Sequence, residues 1–178
     1  YSAFTGSLRE KRRAGGLNSN FGIFADADWR IGAVTINGGL RTDYTKITSG
    51  FYRALSSDNI LIREDVAEDR SNWKLSWRSG ISYAANSALR FRAAAYTGMR
   101  LPTLNELYRP FVIFPVVTQA NSELKNESLR GFEMGVDFKA SPILDVSFTA
   151  YDNRVKNAIA NVTIGENLRQ RQNLPAID

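Results

Sequence analysis

Arg100, Tyr108, Arg109, Phe111 and Phe114 bring cations and aromatic rings together within one short stretch of the chain. That combination suits recognition. Guanidinium groups make charge-assisted hydrogen bonds to anions and aromatic rings stack on aryl groups, so the stretch fits an anionic, aryl-bearing ligand. Bond-making chemistry has much less to work with. The 178 residues include no Cys and no His, which removes disulfides, thiolate metal sites, cysteine nucleophiles and histidine-based triads. The expectation is a non-enzyme. The stretch 46–71 carries Asp58, Glu64, Asp65, Glu68 and Asp69, but without the D-x-D-x-D-G spacing of a calcium loop, so neither a metal site nor a cofactor is assigned.

The residues that must position this stretch read as β-strands. Trp73, Leu75, Trp77, Ile81 and Tyr83 alternate with Lys74, Ser76, Arg78, Gly80 and Ser82, a period of two that gives a sheet one apolar and one polar face. The same alternation recurs in 21–31, 34–41, 89–96, 132–138 and 144–151. Its polar side carries Asp26, Asp28, Arg30, Arg41, Asp43, Lys74, Arg78, Arg90, Arg92, Glu133 and Asp137. Cross-strand ion pairs are the expected role for most of these charges. Arg90 and Arg92, placed near Lys74 and Arg78 on the neighbouring strand, would form a basic strip.

Connection length alternates as well. Short turns at Gly32-Ala33, at 85–88 and at 140–142 separate strands whose other ends meet long polar links at 46–71, 100–128 and 156–178. Short turns at one end and long loops at the other, with strands of about 9–12 residues, fit an antiparallel transmembrane β-barrel. Strands starting near 34, 89 and 143 would run outward, and those starting near 21, 73 and 129 inward. Trp29, Tyr44, Trp73 and Tyr83 would sit at the two membrane interfaces. No run of 18 apolar residues could cross as a helix, and the mean hydropathy of -0.29 does not distinguish a barrel from a soluble sheet. The formal charge of +5 is spread over 23 basic and 18 acidic residues, so nucleic acid is not an expected partner. The run from Arg9 to Arg13 reads as solvated surface, with contact to lipopolysaccharide phosphates or an anionic ligand as the lesser alternative.

Three motifs stand in a fixed order: Arg100-Leu101-Pro102-Thr103-Leu104-Asn105-Glu106-Leu107-Tyr108, then Asn121-Ser122-Glu123-Leu124-Lys125-Asn126-Glu127, then Gly131-Phe132-Glu133-Met134-Gly135. Together with Gly38-Gly39-Leu40-Arg41-Thr42-Asp43 upstream, this order resembles the barrel domain of TonB-dependent outer-membrane receptors. The resemblance implies an interior segment of about six or seven strands from a barrel of roughly 22 strands, spanning 1–178, with the plug domain, the TonB-contacting box and both barrel ends absent. It implies location in the bacterial outer membrane, contact with bilayer and lipopolysaccharide, docking of a plug, and energised uptake through the TonB-ExbB-ExbD system. The ligand would be a ferric siderophore or a similar scarce compound. A passive porin-like channel and a soluble β-rich binding module are the alternatives. Because the R-x-P-T-x-x-E-L-Y run recurs across such receptors, Arg100, Pro102, Leu104, Glu106 and Leu107 are expected to fold a cap over the rim. Residues 109–117 are better placed for ligand contact.

Overall fold

The structure is a computed structural model that describes residues 10–177, so the expectation of a strand tail at Tyr1–Leu8 lies outside it. Apolar residues at every second position produce the strands, and tight turns join them at one end. β1 (Glu10–Ile31) and β2 (Val34–Ser56) meet at Gly32-Ala33, where Gly32 takes φ +59°, a conformation that costs glycine little. β3 (Leu61–Val66) folds back on the outer part of β2, and β4 (Arg70–Ala84) then runs antiparallel to β2. β5 (Leu89–Arg100) follows a turn in which Asn86 Oδ1 accepts the Ala88 and Leu89 N–H groups at 2.8 and 2.9 Å. Next come α1 (Leu104–Tyr108) and the short strands β6 (Phe111–Ile113) and β7 (Val116–Gln119). β8 (Glu127–Ser141), β9 (Leu144–Gly165) and β10 (Leu168–Ile177) complete the chain.

All ten strands among the described residues join one sheet, in the order β1-β2-β4-β5-β8-β9-β10-β7-β6, with β3 also on β2. Pairing is antiparallel except where β7 lies parallel to the start of β10. Seven long strands therefore form a meander in which the loop between β5 and β8 returns to the last strand. One face of the meander carries Phe21, Trp29, Leu40, Leu75, Ile81, Phe91 and Phe148, and it is open, with Leu75 60% and Phe148 69% exposed. A sandwich would bury such a face against a second sheet. Here the ten strands make one layer, so the apolar band is matched to lipid. No helix among the described residues is long and apolar enough to cross a membrane, which says nothing against crossing by strands.

Two expectations need correction. β1, β2 and β9 are 22, 23 and 22 residues long, about twice what a bilayer requires. Consequently 46–71 and 156–178 are sheet for most of their length. Beyond the lipid both faces of a strand meet polar surroundings, so alternation fades while backbone pairing continues. The buried core also lies away from the band. Ile47, Leu107, Tyr108 and Leu124 cluster on the polar face near the outer end, beneath α1.

Candidate functional site

The wall's polar face is assembled from side chains that lie flat across neighbouring strands. Arg78 on β4 reaches over β2 to Asp26 on β1, with Nη2 donating to Oδ1 at 2.8 Å. The bridge passes over Gly39, where a Cβ would sit 2.2 Å from Asp26 Oδ1, so only glycine leaves room. Arg41 donates to Asp43 through Nε and Nη2 at 2.9 and 2.7 Å. Arg92 reaches Asp137, Ser147 and Thr149 across Gly135, whose Cβ would meet the Arg92 guanidinium carbon at 2.7 Å. Tyr96 covers Gly131 and donates its hydroxyl to Asn153 Oδ1 at 3.1 Å. Thus Gly39 of G-G-x-R-x-D and both glycines of G-x-E-x-G are floors for polar bridges.

Register places Asp26, Asp28, Arg41, Lys74, Arg78, Arg90, Arg92, Glu133 and Asp137 on this one face, as alternation predicts. The basic strip does not form. Arg90 and Arg92 stand opposite Ala84 and Ser82, because the tight turn at 85–88 fixes the pairing, while Arg78 stands opposite Tyr96 further out. Arg78 bonds Asp26 on β1, two strands away, and Arg92 bonds Asp137 on β8, the neighbour of β5 on its other side.

At the outer end, the R-x-P-T-x-x-E-L-Y run is a cap. Thr103 Oγ1 accepts the Glu106 N–H at 3.2 Å, and a Glu106 carboxylate oxygen accepts the Thr103 N–H at 2.8 Å. This capping box starts α1. Arg100 then grips two carboxylates at once, with Nη1 3.0 Å from Glu106 Oε2 and Nη2 2.9 Å from Glu127 Oε1. Glu127 Oε1 also accepts the Ile159 N–H at 2.6 Å, so β5, α1, β8 and β9 meet at one guanidinium. The bond from Arg100 holds the Glu127 carboxyl below its ordinary range against a desolvation penalty. Burial pushes Glu106 up, but Arg100 and Thr103 pull it down further, and its net shift is downward. Pro102 and Leu107 are buried, and Tyr108 packs onto β2 where a Cβ on Gly50 would approach its ring carbon to 2.4 Å.

The N-x-x-L-K-x-E run ties this cap to the far side of the sheet. Asn121 Nδ2 donates to Arg171 O at 3.0 Å, Leu124 is buried, and the Lys125 N–H and C=O both bond Asn173. Arg70 Nη1 donates to Ser122 O and Leu124 O at 3.1 and 2.9 Å.

The expected ligand-contact residues therefore divide. Arg100 is engaged in the ion-pair hub and Tyr108 is buried, so both hold the cap. Arg109 is exposed at the end of α1, Phe111 lies under the Arg171 guanidinium with 5.0 Å to its centroid, and Phe114 is 70% exposed at the tip of the β6–β7 hairpin. Arg171 is the residue missed in the sequence. It donates to Asn105 O and Arg109 O at 2.7 and 3.0 Å, fixing the last turn of α1. Its only sequence signal is the polar run 168–173, which reads as loop. A cavity of about 340 Å³ opens beside the cap, lined in part by Tyr52, Arg63, Tyr108, Pro110, Gln119 and Gln170. Burial pushes the Tyr52 hydroxyl above its ordinary pKa. Arg63 stands 5.7 Å from the Tyr52 ring centroid.

A single-layer meander with an apolar outer band, bridged polar inner face and capped outer end defines the wall of a transmembrane β-barrel. Residues 1–176 match the family described as TonB dependent receptor-like, beta-barrel, and the chain belongs to that family. It is 27% identical over 115 residues to the vitamin B12 transporter BtuB of Vibrio vulnificus (strain YJ016), covering 64% of this chain and 17% of that protein. Among solved structures it is similar to the Serratia marcescens hemophore receptor HasR, solved with its hemophore HasA and heme. That match has a TM-score of 0.71 and 19% identity, over 90% of this chain and 30% of that one. It is also similar to the copper transporter OprC, with a TM-score of 0.66 and 17% identity over 88% and 24% of the two chains. The chain thus spans less than a third of the length of each of these proteins.

Proposed function

We propose that this chain forms part of the wall of a bacterial outer-membrane receptor that takes up a scarce ligand by energised transport. The observation that carries the reading is the contrast between the two faces. Lipid-matched residues point out, whereas the inner face offers bridged charges suited to docking a plug, and the cap stands over it at the outer end. In this reading the TonB-ExbB-ExbD system acts through the plug, and bilayer lipid and lipopolysaccharide surround the wall. Arg109, Phe111 and Phe114 contact ligand, with the cavity beside Tyr52 as the adjoining recess. The ligand we infer is a metal chelate, most simply a ferric siderophore carrying anionic and aryl groups, since cations and rings are what the outer end presents. The names of the similar proteins, which transport vitamin B12 or copper or receive a hemophore, fit that class without selecting one compound.

The test is uptake of radiolabelled iron chelates by cells that carry the full-length receptor in their outer membrane, with and without the coupling system. Energy-dependent uptake is the expected result. Passage of small solutes regardless of the coupling system would replace this reading with a passive channel.

A further inference from the structure

β4 and β5 run side by side only part of the way. β4 pairs with β2 from Val34↔Tyr83 to Ile47↔Arg70, and β5 pairs with β8 from Leu89↔Phe138 to Arg100↔Glu127, so each is laddered along its far edge. Toward each other they pair only from Ala84↔Arg90 to Arg78↔Tyr96. One position further out, Thr97 Oγ1 accepts the Trp77 N–H at 3.0 Å, in the place where a continuing ladder would put the Thr97 carbonyl. From there to Arg70 the near edge of β4 is open. Alternate residues of a strand aim their N–H and C=O groups at the same neighbour, so Leu75, Trp73 and Ser71 aim theirs, like Trp77, at this gap. None of the three has a backbone partner on that side among the described residues.

Cavities lie at both ends of the gap. One of about 300 Å³ at its foot is lined in part by Trp77, Arg78 and Thr97, and one of about 400 Å³ at its outer end in part by Ser71, Lys74 and Ser128. The outer cavity is cationic. Arg70, Lys74 and Lys125 line it, and Glu123 is the one carboxylate among its described lining residues. Lys74 stands opposite Asp43, which Arg41 already bonds, and makes no ion pair of its own among the described residues. Arg70 donates through Nη1 to Ser122 O and Leu124 O, while its Nη2 is buried with no partner among the described residues. The lipid-side rim of the gap is apolar instead, with Trp73 and Leu75 both exposed.

We propose that this edge of β4 binds an extended acidic peptide, which adds itself as a strand along 71–77. An open sheet edge is a template for such addition, with main-chain hydrogen bonds supplying affinity and alternate side chains supplying specificity. The alternation of β4 dictates the pattern of the peptide. Side chains on its inner side meet Lys74 and Arg70 and are acidic, whereas those on its outer side meet Trp73 and Leu75 and are apolar. An acyl chain in the gap would leave the N–H and C=O groups of the edge unpaired at lipid level, a cost that another backbone removes. The proposal rests on the barrel-wall reading above but not on any transported ligand.

The experiment uses the full-length receptor in lipid vesicles and a synthetic peptide of about eight residues in which valine and glutamate alternate. Two further peptides serve as comparisons, one N-methylated at alternate backbone nitrogens and one with lysine in place of glutamate. Each is expected to bind about 10-fold more weakly than the parent peptide, the first because it cannot pair and the second because it meets like charge. The gap can also be closed. L75C/M99C places cysteines at the positions that would oppose each other if the ladder continued, and the chain brings no cysteine of its own. Oxidation of this variant should abolish binding and reduction restore it, whereas I81C/A93C, at positions already paired, should bind alike in both states. Equal binding of the N-methylated peptide, or binding unaffected by the 75–99 bridge, would overturn the proposal, as would no saturable binding of the parent peptide by the wild type. Should the bridge fail to form, the N-methylated and lysine peptides decide the matter on the wild type alone. Because the assay needs neither coupling system nor chelate, failed uptake and failed peptide binding are separable results.

Discussion

The wall and the cap of this protein are held together by opposite means. In the wall, apolar side chains point away from the protein and contribute little to an internal core; order comes from backbone pairing and from ion pairs lying across glycines. In the cap, apolar side chains turn inward, and Leu107 and Leu124, each 1% exposed, sit with Ile47 and Tyr108 in a small conventional core. One sheet therefore serves two solvents. Between the turns and the aromatic pair Tyr44 and Trp73, whose rings are 5.1 Å apart, lipid completes the packing. Beyond that level the protein has to supply its own cover, and the loop from 101 to 126 supplies it.

This comparison can be broken first at the core of the cap. Leu107→Ala removes a fully buried side chain whose loss should cost roughly 3 kcal/mol. Limited proteolysis should then cut within 101–126 while the strands remain protected. Cleavage spread evenly through the wall would mean that cap and wall are one cooperative unit. Next comes the lipid face. Leu75→Arg should destabilise the inserted receptor by about 2–4 kcal/mol, whereas Ser76→Arg, one position along on the polar face, should change it far less. Urea unfolding from lipid vesicles measures both. Equal effects would refute the assignment of faces.

Much of the wall was legible in the sequence because lipid demands a strict alternation, and 73–83 shows how plainly that demand is written. The cap was legible as a motif but not as a geometry. Arg100, Thr103 and Glu106 lie close in sequence, so their capping box could be anticipated, yet Glu127 is 27 residues from Arg100 and the Ile159 N–H is 32 from Glu127. The outer halves of β2 and β9 escaped notice because Thr45 to Ser56 and Val155 to Gly165 have no lipid to face. Register was beyond reach altogether. Arg78 finds Asp26 at 52 residues' separation, and nothing local in either stretch announces the partner. The basic strip was the resulting error, since it matched charges by sequence order and not by opposed positions.

The hub at Arg100 joins the two regions and so sharpens the comparison further. Arg100→Gln leaves Glu106 and Glu127 without their shared cation and should cost about 2 kcal/mol, a figure kept modest because the arginine side chain is 43% exposed. A pH signature accompanies it. Both carboxyls are held below their ordinary range, so their contribution is present above about pH 4.3 and is lost as pH falls through the lowered folded values. Protease resistance of the cap should decline with acid below that point in the wild type and respond much less in Arg100→Gln. An unchanged acid response in the variant would place the titration elsewhere.

The smallest effect should come from the glycine floors. Gly39→Ala puts a methyl group where Asp26 Oδ1 approaches to 2.2 Å, but Asp26 and Arg78 are both exposed and can lift toward the barrel interior. The expected loss of stability is therefore only about 1 kcal/mol. The functional loss should be larger than that figure suggests, because a raised ion pair stands in the way of whatever docks on the inner face. Comparing Gly39→Ala with Gly38→Ala separates the two contributions. Gly38 points to the lipid side, where an added Cβ meets only Trp29 at 3.9 Å, so its substitution should leave both stability and uptake near normal. If the two variants lose uptake equally, the flat inner surface is not what the glycines protect. A loss confined to Gly39→Ala would instead mark the polar face as a docking surface whose smoothness matters more than its charge.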